Sequence, residues 1–278
     1  MIAVLGTGLL GSGFTRAFRK KGETVHVWNR TLERARPLEA IGAKVFEHAA
    51  DAVRGVARVH LLLADDDAVD SVLAAAQPAA GTWVFDHSTT STAGVRARTE
   101  RFRAAGTLYQ HAPVFMGPQN AADSTGLMYI SGDRETVERA KPLLAPMTGK
   151  LVDLGERVDL AAAFKLMGNL YLMALTAGCA DMLALAKSMN VPAAEAATLF
   201  DNFSPGPAAR IKRIMDTKPG EPSWELAMAR KDARLMDAEA AAANIALTII
   251  PAIAARMDEV IARGHAHDDW TVIAKDFL

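Results

Sequence analysis

The chain carries one cysteine, Cys179, in 278 residues, so no disulfide can close within it. The fold must rest on a packed core, and a reducing cytosol is the expected setting. An excess of one charge is missing too. Lys and Arg number 31 against 32 Asp and Glu, which leaves no electrostatic case for nucleic acid or an anionic membrane as partner. No apolar run reaches membrane-span length without a polar interruption. The first strand signal, at Ile2, leaves no room for a secretory leader. Repeats and low-complexity tracts are absent; alanine-rich Ala238–Ala243 is the composition of a helix. Metal is not expected. Asp65-Asp66-Asp67 opens a predicted helix, where carboxylates cap N–H groups and favour the dipole. His265-Ala266-His267-Asp268-Asp269 reads as a turn before the last helix.

Half of the residues are hydrophobic, enough for a sizeable core in one large domain or two. The most informative segment is Gly6-Thr7-Gly8-Leu9-Leu10-Gly11. It follows the apolar run Ile2-Ala3-Val4-Leu5 and precedes a helical pattern with Phe14, Ala17 and Phe18 on one side. Strand, glycine turn and helix together make a dinucleotide site. The first glycine permits the turn, the second lets backbone approach a pyrophosphate, and the third lets helix pack on strand. The helix N-terminus offers N–H groups and its positive dipole end to the phosphates.

Strand signals recur at Ile2–Leu5, Thr24–Trp28, Lys44–Phe46, Arg58–Leu63, Thr82–Asp86, Leu108–His111, Leu127–Ser131 and Leu151–Asp153, with helical segments between most of them. This predicts an α/β fold: an open, mainly parallel sheet with helices on both faces. A long apolar helix follows from Asp159 to about Met189. Beyond it only helices are expected, over Pro192–Phe203, Pro207–Asp216, Trp224–Ala243, Ile249–Arg263 and Asp268–Phe277. The domains are therefore 1–157, binding the dinucleotide, and 158–278, a long connecting helix plus an all-helical domain. The active cleft is expected beyond the strand C-termini, between the two.

An NAD site usually has a carboxylate at the end of its second strand, for the ribose hydroxyls. The corner Trp28-Asn29-Arg30-Thr31 has none. Arg30 can instead meet a 2′-phosphate, with Asn29 and Thr31 adding neutral hydrogen bonds, so NADP is the expected cofactor. The alternative is a solvated Arg30 beside a helix-capping Thr31.

In the apolar stretch Leu160–Leu170, Lys165 and Asn169 are the polar interruptions. Four residues apart, they share a helix face, and Gly168 leaves space beside them. A lysine held in apolar surroundings is a good proton donor and acceptor near neutral pH, because lost solvation disfavours its charge. The alternative is a lysine that snorkels to water.

These motifs, in this order, resemble the β-hydroxyacid dehydrogenase family, which includes 3-hydroxyisobutyrate dehydrogenases and glyoxylate/succinic semialdehyde reductases. The pieces are the glycine loop, Val27-Trp28-Asn29-Arg30-Thr31, Asp86-His87-Ser88-Thr89-Thr90, Ala112-Pro113-Val114 with Gly117, Lys165 with Asn169, and Lys231-Asp232. The resemblance covers essentially the whole chain. It implies a Rossmann-type N-terminal domain and a 6-phosphogluconate dehydrogenase-like helical domain. Lys165 is then the catalytic acid/base and Asn169 supports the substrate. The Leu63-Ala64 turn, Ser88 and Thr89 line the nicotinamide side, and Lys231 reaches the cofactor. Without the family, Ser88 and Thr89 could cap the next helix, Lys231 could be a solvated charge, and His87 and His111 read as exposed strand-end histidines.

One departure matters. The family's substrate loop reads Pro-Val-Ser-Gly-Gly, whose serine and glycines receive a carboxylate. Here it is Pro113-Val114-Phe115-Met116-Gly117, with Asn120 in place of a later glycine. Phe115 and Met116 offer no side-chain donor, while backbone N–H groups and Asn120 could still hold an anion. A larger or less polar carbonyl compound is expected, unless Phe115 and Met116 turn inward as core. The rival readings are an imine reductase on the same scaffold and a non-catalytic NADP-binding sensor. The apolar helical half predicts a homodimer or higher homo-oligomer.

Overall fold

A computed structural model describes residues 1–188, 191–203, 205–218, 221–242, 247 and 249–278. The chain divides into two compact units, Met1–Lys165 and Leu166–Leu278. The division falls inside the long helix, whereas the sequence boundary was drawn before it, at 157/158.

In the first unit, β1 (Ile2–Leu5), β2 (Val25–Trp28), β3 (Lys44–Phe46), β4 (Arg58–Leu61), β5 (Trp83–Asp86) and β6 (Leu108–His111) form one sheet ordered β3-β2-β1-β4-β5-β6. All five pairings are parallel. This is the doubly wound order of dinucleotide-binding domains. Every residue of β1 is buried, because a parallel sheet is covered on both faces. Ile2 and Val4 join Phe14, Phe18 and Val27 on one side. Ala3 and Leu5 join Val59, Leu61, Val69 and Leu73 on the other.

The covering helices are α1 (Leu9–Lys20), α2 (Ala49–Ala52), α3 (Asp66–Ala76), α4 (Thr92–Ala104), α5 (Pro118–Asp123) and α6 (Arg134–Leu144). Asp65 caps α3, accepting from the Ala68 N–H at 2.9 Å. Ser91 caps α4 in the same way through Gly94, so neither Ser88 nor Thr89 is the cap.

The single sheet expected from the sequence is two. β7 (Val114–Phe115), absent from the sequence reading, pairs antiparallel with β8 (Leu127–Ile130), which pairs parallel with β9 (Lys150–Asp153). Pro113 has no N–H to extend the β6 ladder. Its carbonyl instead accepts from Tyr129 of β8.

Helix α7 (Leu160–Ser188) runs through the division between the units; Met189 lies outside the described residues. Its stretch Leu160–Cys179 is long and apolar enough to cross a membrane by length and composition, though Lys165 and Asn169 interrupt it. In the second unit follow α8 (Ala193–Ala197), α9 (Leu199–Phe203), α10 (Pro205–Asp216), α11 (Leu226–Ala242) and α12 (Ile250–Val260). One helix expected over 192–203 is thus two short ones, and Ala243 lies outside the described residues. A π-helical turn at Ile261–His265 contains Gly264 at φ +94°, and a 3-10 helix at Trp270–Phe277 follows. Met173, Leu226, Ala233, Ile253, Met257 and Trp270 share the core. Buried Asp269 ties it down, accepting from Arg213, Ser223 and Thr271.

Candidate active site

The glycine loop separates into three roles. Gly6 has φ +97°, and a Cβ there would lie 2.3 Å from the Leu62 carbonyl oxygen. A Cβ on Gly11 would lie 1.8 Å from the Gly6 oxygen, so α1 packs on the loop only because side chains are missing at both ends. A Cβ on Gly8 would meet nothing within 4 Å. Gly8 is also the N-cap of α1, with no side-chain cap and no acidic residue in the first turn. The helix thus begins with N–H groups lacking a side-chain acceptor, beside open space. That donor set fits a pyrophosphate. Leu9 is partly exposed, Leu10 packs against the core, and the buried Thr7 hydroxyl has no partner.

The β2 corner divides its labour differently from the sequence expectation. Asn29 Oδ1 accepts from the Thr7 N–H at 3.0 Å, and its Nδ2 donates to the Thr31 oxygen at 2.8 Å. The amide therefore braces the glycine loop through its oxygen, and Nδ2 makes one of its two hydrogen bonds to the Thr31 oxygen. Thr31 sits at the N-cap of a 3-10 turn without a side-chain cap. Arg30 is exposed and has no ion pair or hydrogen bond with another described residue.

At the ends of β4 and β5, Ser88 is buried and its hydroxyl accepts from the Leu63 N–H at 3.0 Å. Ser88 thereby fixes the Leu63-Ala64 turn; Ala64 and Thr89 are half-buried. Beneath this corner lies a polar network that the sequence did not suggest. Tyr109 donates to Asp86 at 2.8 Å. Buried Arg98 donates to Tyr109 and Asp66, and Asp66 also accepts from Ser91 N–H. Burial alone would raise the Asp86 carboxyl, but the His111 ring, Arg98 and the Ser88 N–H together hold it below the usual carboxylate range. The paired charges are desolvated but hydrogen-bonded, the condition under which burial is tolerated.

His87 and His111 are both buried, contrary to the exposed positions expected at strand ends. His87 Nδ1 lies 2.7 Å from the Ala112 oxygen and so must donate. In the neutral ring Nε2 then accepts, and His60 Nδ1–H is the donor across 2.9 Å. Burial, ahead of their neighbours, pushes both rings down, His87 to about 4. Phe14 and Phe18 of α1 cover the pair, with ring centroids 4.8 Å from His87 and 4.7 Å from His60.

In the substrate loop the two apolar residues make different contacts. Met116 packs against the main core. Phe115 is half-buried and its ring centroid lies 4.1 Å from Lys165 Nζ. Lys165 itself is half-buried. Asn120 Oδ1 accepts from Gly117 N–H at 3.0 Å and its Nδ2 donates to Thr125. Its Oδ1 thus braces the loop, while Nδ2 makes one of its two hydrogen bonds there.

In the second unit Asn169 is buried and donates to Asp232 of α11 at 2.7 Å. Asp232 also meets Lys231 Nζ at 2.5 Å. Lys231 is thus an ion-pair partner rather than a solvated charge.

Residues 1–155 match the NAD binding domain of 6-phosphogluconate dehydrogenase. The chain is 30% identical to a probable 3-hydroxyisobutyrate dehydrogenase of Mycobacterium tuberculosis, over 98% of this chain and 96% of that protein. The chain belongs to the β-hydroxyacid dehydrogenase family. As a member it is an NAD(P)-dependent oxidoreductase of β-hydroxyacid dehydrogenase type. The solved Mycobacterium tuberculosis 3-hydroxyisobutyrate dehydrogenase with L-serine has TM-score 0.83 at 25% identity, covering 99% of this chain and 98% of its own. An imine reductase from Myxococcus stipitatus with NADP+ shares the fold at TM-score 0.66 and 21% identity, over 99% of each chain.

For a β-hydroxyacid dehydrogenase, what sequence reasoning missed is the bracing: Asn29 on the glycine loop, Ser88 on the Leu63 turn, and Asp232 on Asn169. A cavity in the first unit, about 720 Å³ and lined by Arg96, Arg103, Arg134 and Glu156 among others, includes none of the predicted site residues.

Proposed function

We propose that this protein is an NADP-dependent reductase that moves hydride between NADPH and a carbonyl compound, with Lys165 as acid/base. The observation that carries the reading is the half-buried ammonium of Lys165 lying 4.1 Å from the ring centroid of Phe115, in the loop position where the family places a carboxylate-binding serine. Bound NADPH supplies the hydride. Lys165 Nζ gives its proton to the substrate oxygen as charge develops there, and takes it back in oxidation; such transfer contributes about 10²–10⁴-fold. Asp232 fixes the amide of Asn169, which supports the substrate. Leu63, Ala64, Ser88 and Thr89 line the nicotinamide side, the Gly6–Gly11 loop takes the pyrophosphate, and Lys231 reaches the cofactor.

Support for NADP comes from Arg30, exposed at the β2 corner where no carboxylate stands. A guanidinium there suits a 2′-phosphate. Phe115 and the inward-turned Met116 supply no side-chain donor for a carboxylate, which supports a carbonyl compound without a compact acid group as the substrate. Buried free Cys179 suits a reducing cytosol. Met167 and Tyr171, one turn apart on α7, are 55% and 68% exposed, which suits a homodimer; light scattering tests this.

Lys165→Ala is expected to bind NADPH as the parent does and to lose turnover by at least about 10²-fold. Unchanged turnover would remove Lys165 from the mechanism. A cyclic imine is the second reading, favoured by the same Phe115 ring, whose face attracts an iminium as it does an ammonium. NADPH oxidation with semialdehydes and cyclic imines side by side separates the two.

A further inference from the structure

Lys165 is seated on a connected set of rings. Tyr129 of β8 meets Phe115 edge-on, with centroids 5.9 Å apart and planes at 89°. Phe164, the residue before Lys165, meets Tyr129 at 5.6 Å and 65°. The rings run from β7 through β8 and return to α7 beside the lysine. Each contact is of the edge-to-face kind that fixes ring orientation.

The strand pattern explains why Phe115 takes this place. Its neighbour in β7, Val114, is buried in the core, so alternation sends Phe115 to the opposite side. A cation over a ring face is attracted by the ring quadrupole, more strongly as water is excluded. A leucine would keep much of the bulk but has no such face. A serine would offer a hydroxyl and no platform.

We propose that Phe115 is a positioning residue for Lys165, its ring face holding the ammonium in place while Tyr129 and Phe164 hold the ring. The kinetic consequence rests on the reading of Lys165 as proton donor; the ring contact itself does not.

The test uses the full chain labelled with [13C]lysine, the Lys165 ε-methylene signal being assigned by its loss in Lys165→Arg. Protons over a ring face resonate upfield. That signal is expected upfield of the other lysines in the parent and in Phe115→Tyr, and among them in Phe115→Leu. With NADPH and butanal as probe, Phe115→Leu is expected to lower kcat roughly 2- to 30-fold. Phe115→Tyr should rescue it, with the KM for NADPH unchanged in both. An upfield signal that survives in Phe115→Leu overturns the proposal, as does equal kcat in the two variants. Turnover that survives in Lys165→Ala, with the upfield signal present in the parent, overturns the proton-donor reading and not the ring contact.

Discussion

Replacing Arg30 with alanine distinguishes two cofactors that differ by a single phosphate. Arg30 is exposed and has no ion pair or hydrogen bond with another described residue, so its loss should leave stability within about 0.5 kcal/mol. A hydrogen bond to a charged group contributes roughly 1.5–3 kcal/mol. Losing it should weaken NADPH by roughly 10- to 150-fold and leave NADH as it was. Asn29 supplies the contrast. Its Oδ1 receives the Thr7 N–H at 3.0 Å, inside the loop that both cofactors use. Asn29→Ala leaves that N–H without its acceptor, at about 1–3 kcal/mol, and should weaken both cofactors by a similar factor. Fluorescence titration of NADPH and NADH into the parent and the two variants measures all six affinities. An Arg30→Ala protein that binds NADPH unchanged, or that loses NADH as much as NADPH, refutes the phosphate assignment.

The glycines predict a second contrast. Gly8→Ala should fold normally, since its Cβ meets nothing within 4 Å, yet bind cofactor poorly. Gly11→Ala, with its Cβ 1.8 Å from a carbonyl oxygen, should lose about 1–3 kcal/mol of stability; urea unfolding and cofactor titration give both quantities. The buried histidines make stability fall with acid. His87 is neutral in the fold with its pKa lowered to about 4, so the unfolded chain binds the extra proton first. The stabilisation is complete above about pH 6.5 and fades as pH drops toward 4, by up to about 3 kcal/mol. Asp269, held near 2 by Arg213, Ser223 and Thr271 against the opposing effect of burial, adds a further loss below about pH 4, of about 2 kcal/mol. Urea midpoints that do not decline from pH 7 to 4 would contradict the His87 assignment, and midpoints that do not decline further from pH 4 to 2 would contradict that of Asp269.

The chemistry that depends on one element and its immediate neighbours was legible in the chain. Gly6, Gly8 and Gly11 declare their turn because strand and helix stand on either side of them. Lys165 stands out because every near neighbour in its helix except Asn169 is apolar or glycine. What was not legible is where the polar side chains find their partners within the fold. Asn29 and Asn120 look like donors for a ligand, and the fold adds a second task to each: Asn29 Oδ1 braces the Thr7 N–H and Asn120 Oδ1 the Gly117 N–H, while each Nδ2 makes one of its two hydrogen bonds locally. Strand-end position suggested exposure for His87, but Phe14 of α1 lies across it. Two-residue β7 is too short to show a period, so the turn of Met116 inward and Phe115 toward Lys165 could not be read from spacing. The Arg98–Tyr109–Asp86 network joins a helix to two strands, and only the packed sheet reveals it.

Proton donation from the Lys165 amine is tested most directly by restoring it from outside. Hydride transfer is followed by stopped-flow loss of NADPH absorbance in Lys165→Ala, with and without added ethylamine. The expected result is a slow variant whose rate climbs with ethylammonium concentration while its NADPH affinity stays at the parent value. A variant as fast as the parent without the amine would contradict it.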